Sequence, residues 1–370
     1  MPRALVVEPA GNLWGSERAL LDFLDSAASL PWRIAVCCPP NTPILARLAT
    51  LPVAVYPSFV AGLHRKSRLH RLWAAGGLLA AALRYRPHLL HVNQAGATRI
   101  ALAVGRLLRI PVVTHVRLAE DVAYIQALSS SADALPLVIC VSRYIRDLFE
   151  GWPPDPRQKL VVLYDPYRPQ QNWEDALPPT GQGAELAFAC VGRLAKIKGQ
   201  DLVLQAISHL KREGTRAQGH FFGTAEPGDG YGRELVELVG ELGIADQIHW
   251  HGYQEGIPAR IGSAAALICP SLIEPLGRVI LEAWDAGTIP VAWAGSGGPA
   301  EVIQASGAGL LYDEPSGASL ARTLANVLGL VSPARREMVD RGRHWLLGTC
   351  DSAAYSAQLL ALWREAANLP

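Results

Sequence analysis

Charge is scarce in this chain, and no stretch of it is apolar over the length needed to cross a bilayer. Only 18% of the residues are charged while 50% are hydrophobic, which excludes a disordered chain and requires extensive burial. A formal net charge of +1 removes the general electrostatic case for nucleic-acid binding. The six cysteines include the adjacent pair Cys37 and Cys38, while the others lie far apart, without CxxC or Cys/His spacing. They therefore read as small buried hydrophobes in a reducing compartment, and neither a zinc site nor a disulfide framework is expected. The opening residues "MPRALVVEPAGN" lack the apolar core of a secretory signal, so a cytoplasmic protein is expected, with the inner face of the membrane as an alternative address.

What is present is a rhythm. Short apolar runs alternate with helix-like segments: "RALVVEPA", "WRIAVCCP", "HLLHVN", "PVVTHV" and "LVICVS" in the first half. "ELAFACVGRL", "GHFFGT", "IHWHGY", "ALICPS", "IPVAWAG" and "GLLYD" follow in the second. That alternation predicts α/β architecture with two Rossmann-like parallel-sheet domains, and 370 residues suffice for two cores. The aperiodic, Pro- and Gln-rich "YDPYRPQQNWEDALPPTGQG" is the linker candidate. The expected division is residues 1–165, a linker over 166–183, and a second domain over 184–350. A C-terminal helix within 351–370, capped at Asp351 or Ser352, is expected to return to the first domain. Ligands of open parallel sheets bind at the carboxyl ends of the strands, so chemistry is sought in the loops that follow them, with the two sheets facing a central cleft.

One such loop is "EPLGRVILEA". Glu274 and Glu282 stand eight positions apart around the start of a helix that Gly287 closes. Amides of Leu276, Gly277 and Arg278 at that helix tip suit an anion, and Gly277 permits close approach. Eight residues at helical rise span at most about 12 Å, the reach from a sugar across a diphosphate to a ribose. Glu282 has apolar sequence neighbours, and a buried carboxylate there requires donors such as vicinal hydroxyls. Taken alone, the spacing is common. A second constellation sharpens it: in "VGRLAKIKGQD", Gly192 ends a strand, and Arg193, Lys196 and Lys198 cluster before a helix expected near Gln200 or Asp201. Two cations five residues apart in such a loop can pair with a diphosphate and stabilise its departure.

"GRLAKIKG", "PSLIEPLGRVILEAWDAGTIPVA" and "GSGGPAEVI" resemble, in order and spacing, the signatures of glycosyltransferase family 4, retaining nucleotide-sugar-dependent enzymes of the GT-B fold. "GNLWGSERALLDFL", "IPVVTHVR" and "CVSR" extend the resemblance over nearly the whole chain. It implies that Arg193 and Lys198 bind the donor diphosphate, Glu274 the donor-sugar hydroxyls and Glu282 the ribose. It also implies that Gly15 and Ser16 approach the phosphate or the acceptor from the first domain. Tyr253 in "HGYQEG" and Ser271 in "CPS" are candidates for the base side. The family's histidine has two candidates here, His115 and Arg117, alternate residues on one strand.

No Asp-x-Asp sequence occurs, so the metal-chelating device of the other major glycosyltransferase fold is missing, and no metal or other cofactor is expected. The implied reaction is transfer of a sugar from a nucleoside diphosphate to the hydroxyl of a saccharide or lipid-linked acceptor in polysaccharide, glycolipid or glycoconjugate synthesis. The alternatives are a sugar-nucleotide epimerase of related fold, or a noncatalytic sugar- or lipid-binding protein that has kept the architecture. "GLHRKSRLHRLWAAGGLLAAAL", Gly62 to Leu83, mixes Arg65, Lys66, Arg68 and Arg71 with Leu69, Leu72 and Trp73. This pattern fits a membrane-surface helix and a lipid-linked acceptor, but slightly better a domain helix with a solvated basic end, whose apolar remainder packs on the first sheet.

Overall fold

A computed structural model describes residues 1–60, 68–128, 135–153, 155, 157–170, 173 and 186–369. The chain forms two compact units, Met1–Arg168 with Thr349–Pro370, and Pro169–Gly348.

The first unit is built on seven parallel strands: β1 (Arg3–Val7), β2 (Arg33–Cys38), β3 (Ala54–Pro57), β4 (Leu89–Val92), β5 (Val112–Val116), β6 (Leu137–Cys140) and β7 (Lys159–Val162). They lie in the order β3-β2-β1-β4-β5-β6-β7. The middle strands are buried along most of their length because helices cover both faces of a parallel sheet, hence their unbroken apolar runs. The two edge strands, β3 and β7, fall outside the runs read from the sequence. Both are short and half-exposed, so neither carries the fully buried apolar signature of the inner strands.

The C-terminal helix Ser352–Ala366 completes this unit. The Asp351 carboxylate accepts from the Ala354 amide at 2.8 Å and caps it. Tyr355, Leu359 and Trp363 are buried in the same core as Phe23 and Trp32. The Trp363 ring meets Phe23 at 5.8 Å and Trp32 at 5.4 Å, both edge-on, and its indole N–H donates to His91 Nδ1 at 3.0 Å.

The second unit holds six parallel strands: β8 (Leu186–Val191), β9 (Ala217–Phe222), β10 (Ile248–Trp250), β11 (Ala266–Cys269), β12 (Ile289–Trp293) and β13 (Leu310–Tyr312). All six correspond to runs singled out in the sequence, and their order is β10-β9-β8-β11-β12-β13. In each sheet the winding direction reverses once, between β1 and β4 and between β8 and β11. Loops diverge at such a reversal and leave a crevice at the strand ends, so each unit has one predetermined place for a ligand.

Within the stretch read as a linker, Asp165 and Tyr167 are buried in the first unit. Gln170 and Trp173 are tied to the second unit, since the Gln170 amide and the Trp173 indole each donate to the Asp285 carboxylate at 2.8 Å. Residues 171, 172 and 174–185 lie outside the described residues, as do Arg65 and Lys66. All six cysteines are free and buried.

Candidate active site

The reversal in the second sheet brings together the loops that follow β8 and β11, the two loops carrying the predicted constellations. Lys198 and Glu274, 76 positions apart, form an ion pair across it. Both side chains are largely withdrawn from water, at 27% and 17% exposure. Burial alone pulls Lys198 down, but the charge and hydrogen bond of Glu274 reverse this and hold the ammonium above its ordinary pKa. Ser271 donates to the same Glu274 oxygen at 3.4 Å. Arg193 pairs with Glu226 at 2.7 Å on the more open side, and its carbonyl accepts from the buried Gln200 amide. Lys196 turns away, towards Asp201 at 3.3 Å and the Tyr231 ring.

Backbone contacts lock these loops in place. Gly192 donates to Phe222 O at 2.9 Å, and Leu194 to Thr224 O at 3.0 Å. Gly199 has φ of +66°, and a Cβ there would lie 2.4 Å from the Pro270 carbonyl, so the loop after β8 rests directly on the loop after β11. The β12 loop joins them: Glu274 N donates to Ser296 O and Gly298 N to Glu274 O, both at 2.8 Å. Glu274 is thus held through its backbone as well as through its carboxylate.

The following helix spans Arg278–Ala286, with Gly277 as its left-handed N-cap (φ +79°) and Gly287 as its left-handed C-cap. Leu276 is buried just before it, and Ile280 N already donates to Gly277 O at 2.8 Å. Glu282 lies on the inward side at 4% exposure, buried as the sequence implied despite its charge. Ser271 is buried, whereas Tyr253 is half-exposed in the loop after β10.

In the first unit, His115 on β5 and Arg117, the residue just past its end, are both buried. Arg117 pairs with Asp165, donates through Nε to Asn93 O at 2.9 Å, and reaches Asn93 Oδ1 and His115 Nδ1 at 3.2 Å each. Its guanidinium is therefore occupied in an internal network. His115 is held neutral by burial and by the neighbouring guanidinium. At the β1/β4 reversal, Gln94 Nε2 donates to Glu8 at 3.0 Å, Ser16 Oγ at 3.0 Å and Glu17 at 2.7 Å. Gly15 opens the helix Gly15–Leu24 there, with open space where a Cβ would stand. Ser16 thus belongs to a polar cluster with Glu8, Glu17, Asn93 and Gln94.

Residues 15–171 match the Glycosyltransferase Family 4 model and residues 179–345 the Glycosyl transferases group 1 model, leaving out only 1–14, 172–178 and 346–370. The chain belongs to glycosyltransferase family 4. Over 173 residues, 46% of the chain, it is 35% identical to the 2-deoxystreptamine glucosyltransferase of Streptomyces kanamyceticus. It is 28% identical over a segment of the same length to the lipopolysaccharide core biosynthesis glycosyltransferase LpsE of Rhizobium meliloti. The matched segments span 42% and 48% of those relatives. Among solved structures it resembles HepE of Anabaena in complex with UDP and glucose, with a TM-score of 0.82 at 18% identity, covering 98% of this chain and 99% of that one. Sucrose-phosphate synthase from Thermosynechococcus elongatus gives 0.79 at 17% identity, covering 99% of each. The fold of this family 4 chain is accordingly GT-B.

Glu226, Asn93, Asp165 and the Glu8/Glu17/Gln94 cluster were missed from the sequence of this family 4 chain. Glu226 had a usable signal, since it stands in the glycine-rich loop that follows β9, beside the β8 loop. Asp165 lies 48 positions from Arg117 and had none.

Proposed function

We propose that this chain is a retaining, metal-independent glycosyltransferase that moves a hexose from a nucleoside-diphosphate sugar to an acceptor hydroxyl. The observation that carries the reading is the Lys198–Glu274 pair at the β8/β11 reversal. It sets a cation and a carboxylate side by side where a diphosphate and its sugar would meet. In this reading Arg193, Lys198 and the amides near Leu276, Gly277 and Arg278 take the diphosphate, supplying the charge stabilisation a metal provides elsewhere. Glu274 orients the sugar hydroxyls, and Glu282, eight residues on, holds the ribose. Tyr253 and Ser271 line the base side, with Gly192 giving the chain room to pass.

The acceptor is assigned to the first unit, with Gly15 and Ser16 at its reversal, and is a saccharide or a lipid-linked saccharide. Its hydroxyl oxygen attacks the anomeric carbon on the face from which the nucleoside diphosphate leaves. The departing phosphate oxygen receives the hydroxyl proton, so no side-chain base is required. His115 and Arg117 then support the site through the Asn93 and Asp165 network rather than by touching the reacting atoms. UDP-glucose is the first donor to try, because HepE was crystallised with it.

The test is release of nucleoside diphosphate from a panel of UDP-, GDP- and ADP-sugars, with and without saccharide acceptors and in the presence of EDTA. Acceptor-dependent release with retention at the anomeric carbon is expected. Epimerised donor without transfer, or binding without turnover, would replace this reading by one of its alternatives.

A further inference from the structure

In the second unit, the helix Ser332–Thr349 and the end of the helix Gly298–Ser306 enclose a shallow groove of ≈ 670 Å³, a volume in the range of small-molecule sites. Its two walls are fixed to each other. Arg341 donates through Nε and Nη2 to Gly307 O at 3.0 and 2.9 Å, and through Nη1 to Glu337 at 2.7 Å. The support beneath is equally firm. Gly342 packs so closely on the buried Trp284 that a Cβ would lie 2.3 Å from Trp284 Cδ1, and Trp345, which lines the groove, meets the same indole edge-on at 5.6 Å. The groove is therefore built before any ligand arrives, which lowers the ordering cost of binding.

Its polar groups name the occupant. Arg336, Asp340 and His344 line the groove at i, i+4 and i+8, in one row along the helix. An arginine and an aspartate four apart can readily pair, yet the side chains of these three make no hydrogen bond or ion pair among the described residues. They offer a fork of donors, a pair of acceptor oxygens and an imidazole that can serve as either. The guanidinium groups of Arg336 and Arg341 are matched by the carboxylates of Glu337 and Asp340, so the groove has no net charge with which to select an ion. A neutral, polyhydroxylated ring answers each feature: its C–H face packs on the Trp345 indole, and its vicinal hydroxyls give to a carboxylate and take from a guanidinium. A phosphate would bring charge that the groove does not balance. An apolar segment would desolvate the polar row without pairing it.

We propose that this groove is a noncatalytic saccharide site that holds a neutral oligosaccharide on the second unit. Eight residues at helical rise put Arg336 and His344 about 12 Å apart along the axis, a span longer than one sugar ring. The helix Gly298–Ser306 separates the groove from the β8/β11 reversal. Its first amide, Gly298 N, donates to Glu274 O, while its last residue, Ser306, lines the groove. A saccharide here and a nucleotide there would thus occupy opposite ends of one helix. The site does not depend on the transferase reading.

The experiment is saturation-transfer NMR of the full chain with maltotriose, cellotriose, chitotriose and mannotriose in turn, with UDP in excess to occupy the nucleotide loops. At least one trisaccharide is expected to bind at millimolar concentration. Its affinity should fall by roughly tenfold or more in Arg336→Ala/His344→Ala and in Trp345→Ala, through loss of hydrogen bonds or of the aromatic wall. The double variant changes only exposed side chains and should keep the wild-type melting temperature and UDP affinity. It therefore decides the matter if Trp345→Ala, which gives up the contact with Trp284, fails to fold. The proposal is overturned if none of the trisaccharides binds, or if the double variant binds them as well as wild type. It is also overturned if the double variant instead abolishes binding of inorganic phosphate, or if light scattering shows a wild-type dimer that this variant dissociates. An anion or a second copy would then be the occupant.

Discussion

Lys198 and Glu274 are held together by the meeting of two loops that the sheet order makes neighbours, at the one point in the second unit where the winding reverses. The pair is stabilising at neutral pH. A lysine whose folded pKa is raised contributes in full below its unfolded value and loses that contribution only as pH climbs through the folded one. Glu274→Gln should lower unfolding stability by about 1.5–3 kcal/mol, and Lys198→Met should cost no further comparable amount in the same background. Denaturant unfolding of the two single variants and the double variant near pH 7.5 measures this, and additive losses would contradict the coupling.

Gly298 offers a steric test of how the loops interlock. A Cβ there would stand 2.3 Å from the Pro275 carbonyl and 2.5 Å from Leu276 Cα, atoms that cannot move without displacing the Glu274 loop. Gly298→Ala should therefore destabilise by more than about 1 kcal/mol and also weaken nucleotide binding. Gly15→Ala, where a Cβ meets nothing within 4 Å, should be close to neutral for stability. Melting curves with and without UDP compare the two directly.

Glu8 makes the first unit sensitive to pH. Burial, reinforced by the nearby charge of Glu17, raises its carboxyl from 4.5 to about 8. The folded state thus retains a proton that the unfolded chain has released, and stability should decline as pH rises from about 4.5 to about 8. Glu8→Gln keeps the shape without the charge, and should flatten that decline and melt higher than wild type at pH 8. Parallel slopes for the two proteins in thermal melts from pH 5 to pH 8.5 would contradict the assignment.

The two glutamates of the second unit should separate by ligand. Glu282→Ala should weaken binding of free UDP by roughly ten- to a hundredfold, the loss of a charge-assisted hydrogen bond. Glu274→Ala should leave UDP affinity within a few fold and impair binding of the intact UDP-sugar. Equal losses for both ligands in both variants would remove the division of roles.

How much of this was legible beforehand follows from where each signal lay. Inner strands such as β1, β4, β5, β6, β11 and β12 showed as apolar runs because they are buried along nearly their whole length. The edge strands β3 and β7 are not, and they carry no such mark. In the second unit, Arg193 and Lys198 share one short loop, and Glu274 and Glu282 share one loop and the helix that follows it, so local spacing together with the family resemblance singled them out. In the first unit, polar partners come together only through the sheet: Arg117 with Asn93 and Asp165, and Glu8 with Gln94. Separations of 24, 48 and 86 positions leave no local pattern to read.

Calorimetric titration of UDP into wild type, Arg193→Ala and Lys198→Ala tests the central claim, that the loops at the β8/β11 reversal cradle a nucleoside diphosphate. Wild type should bind with a single site, and each variant, still folded by its melting curve, should lose roughly tenfold or more in affinity. Unchanged UDP affinity in both folded variants, or no binding of UDP, GDP or ADP to wild type, would contradict it.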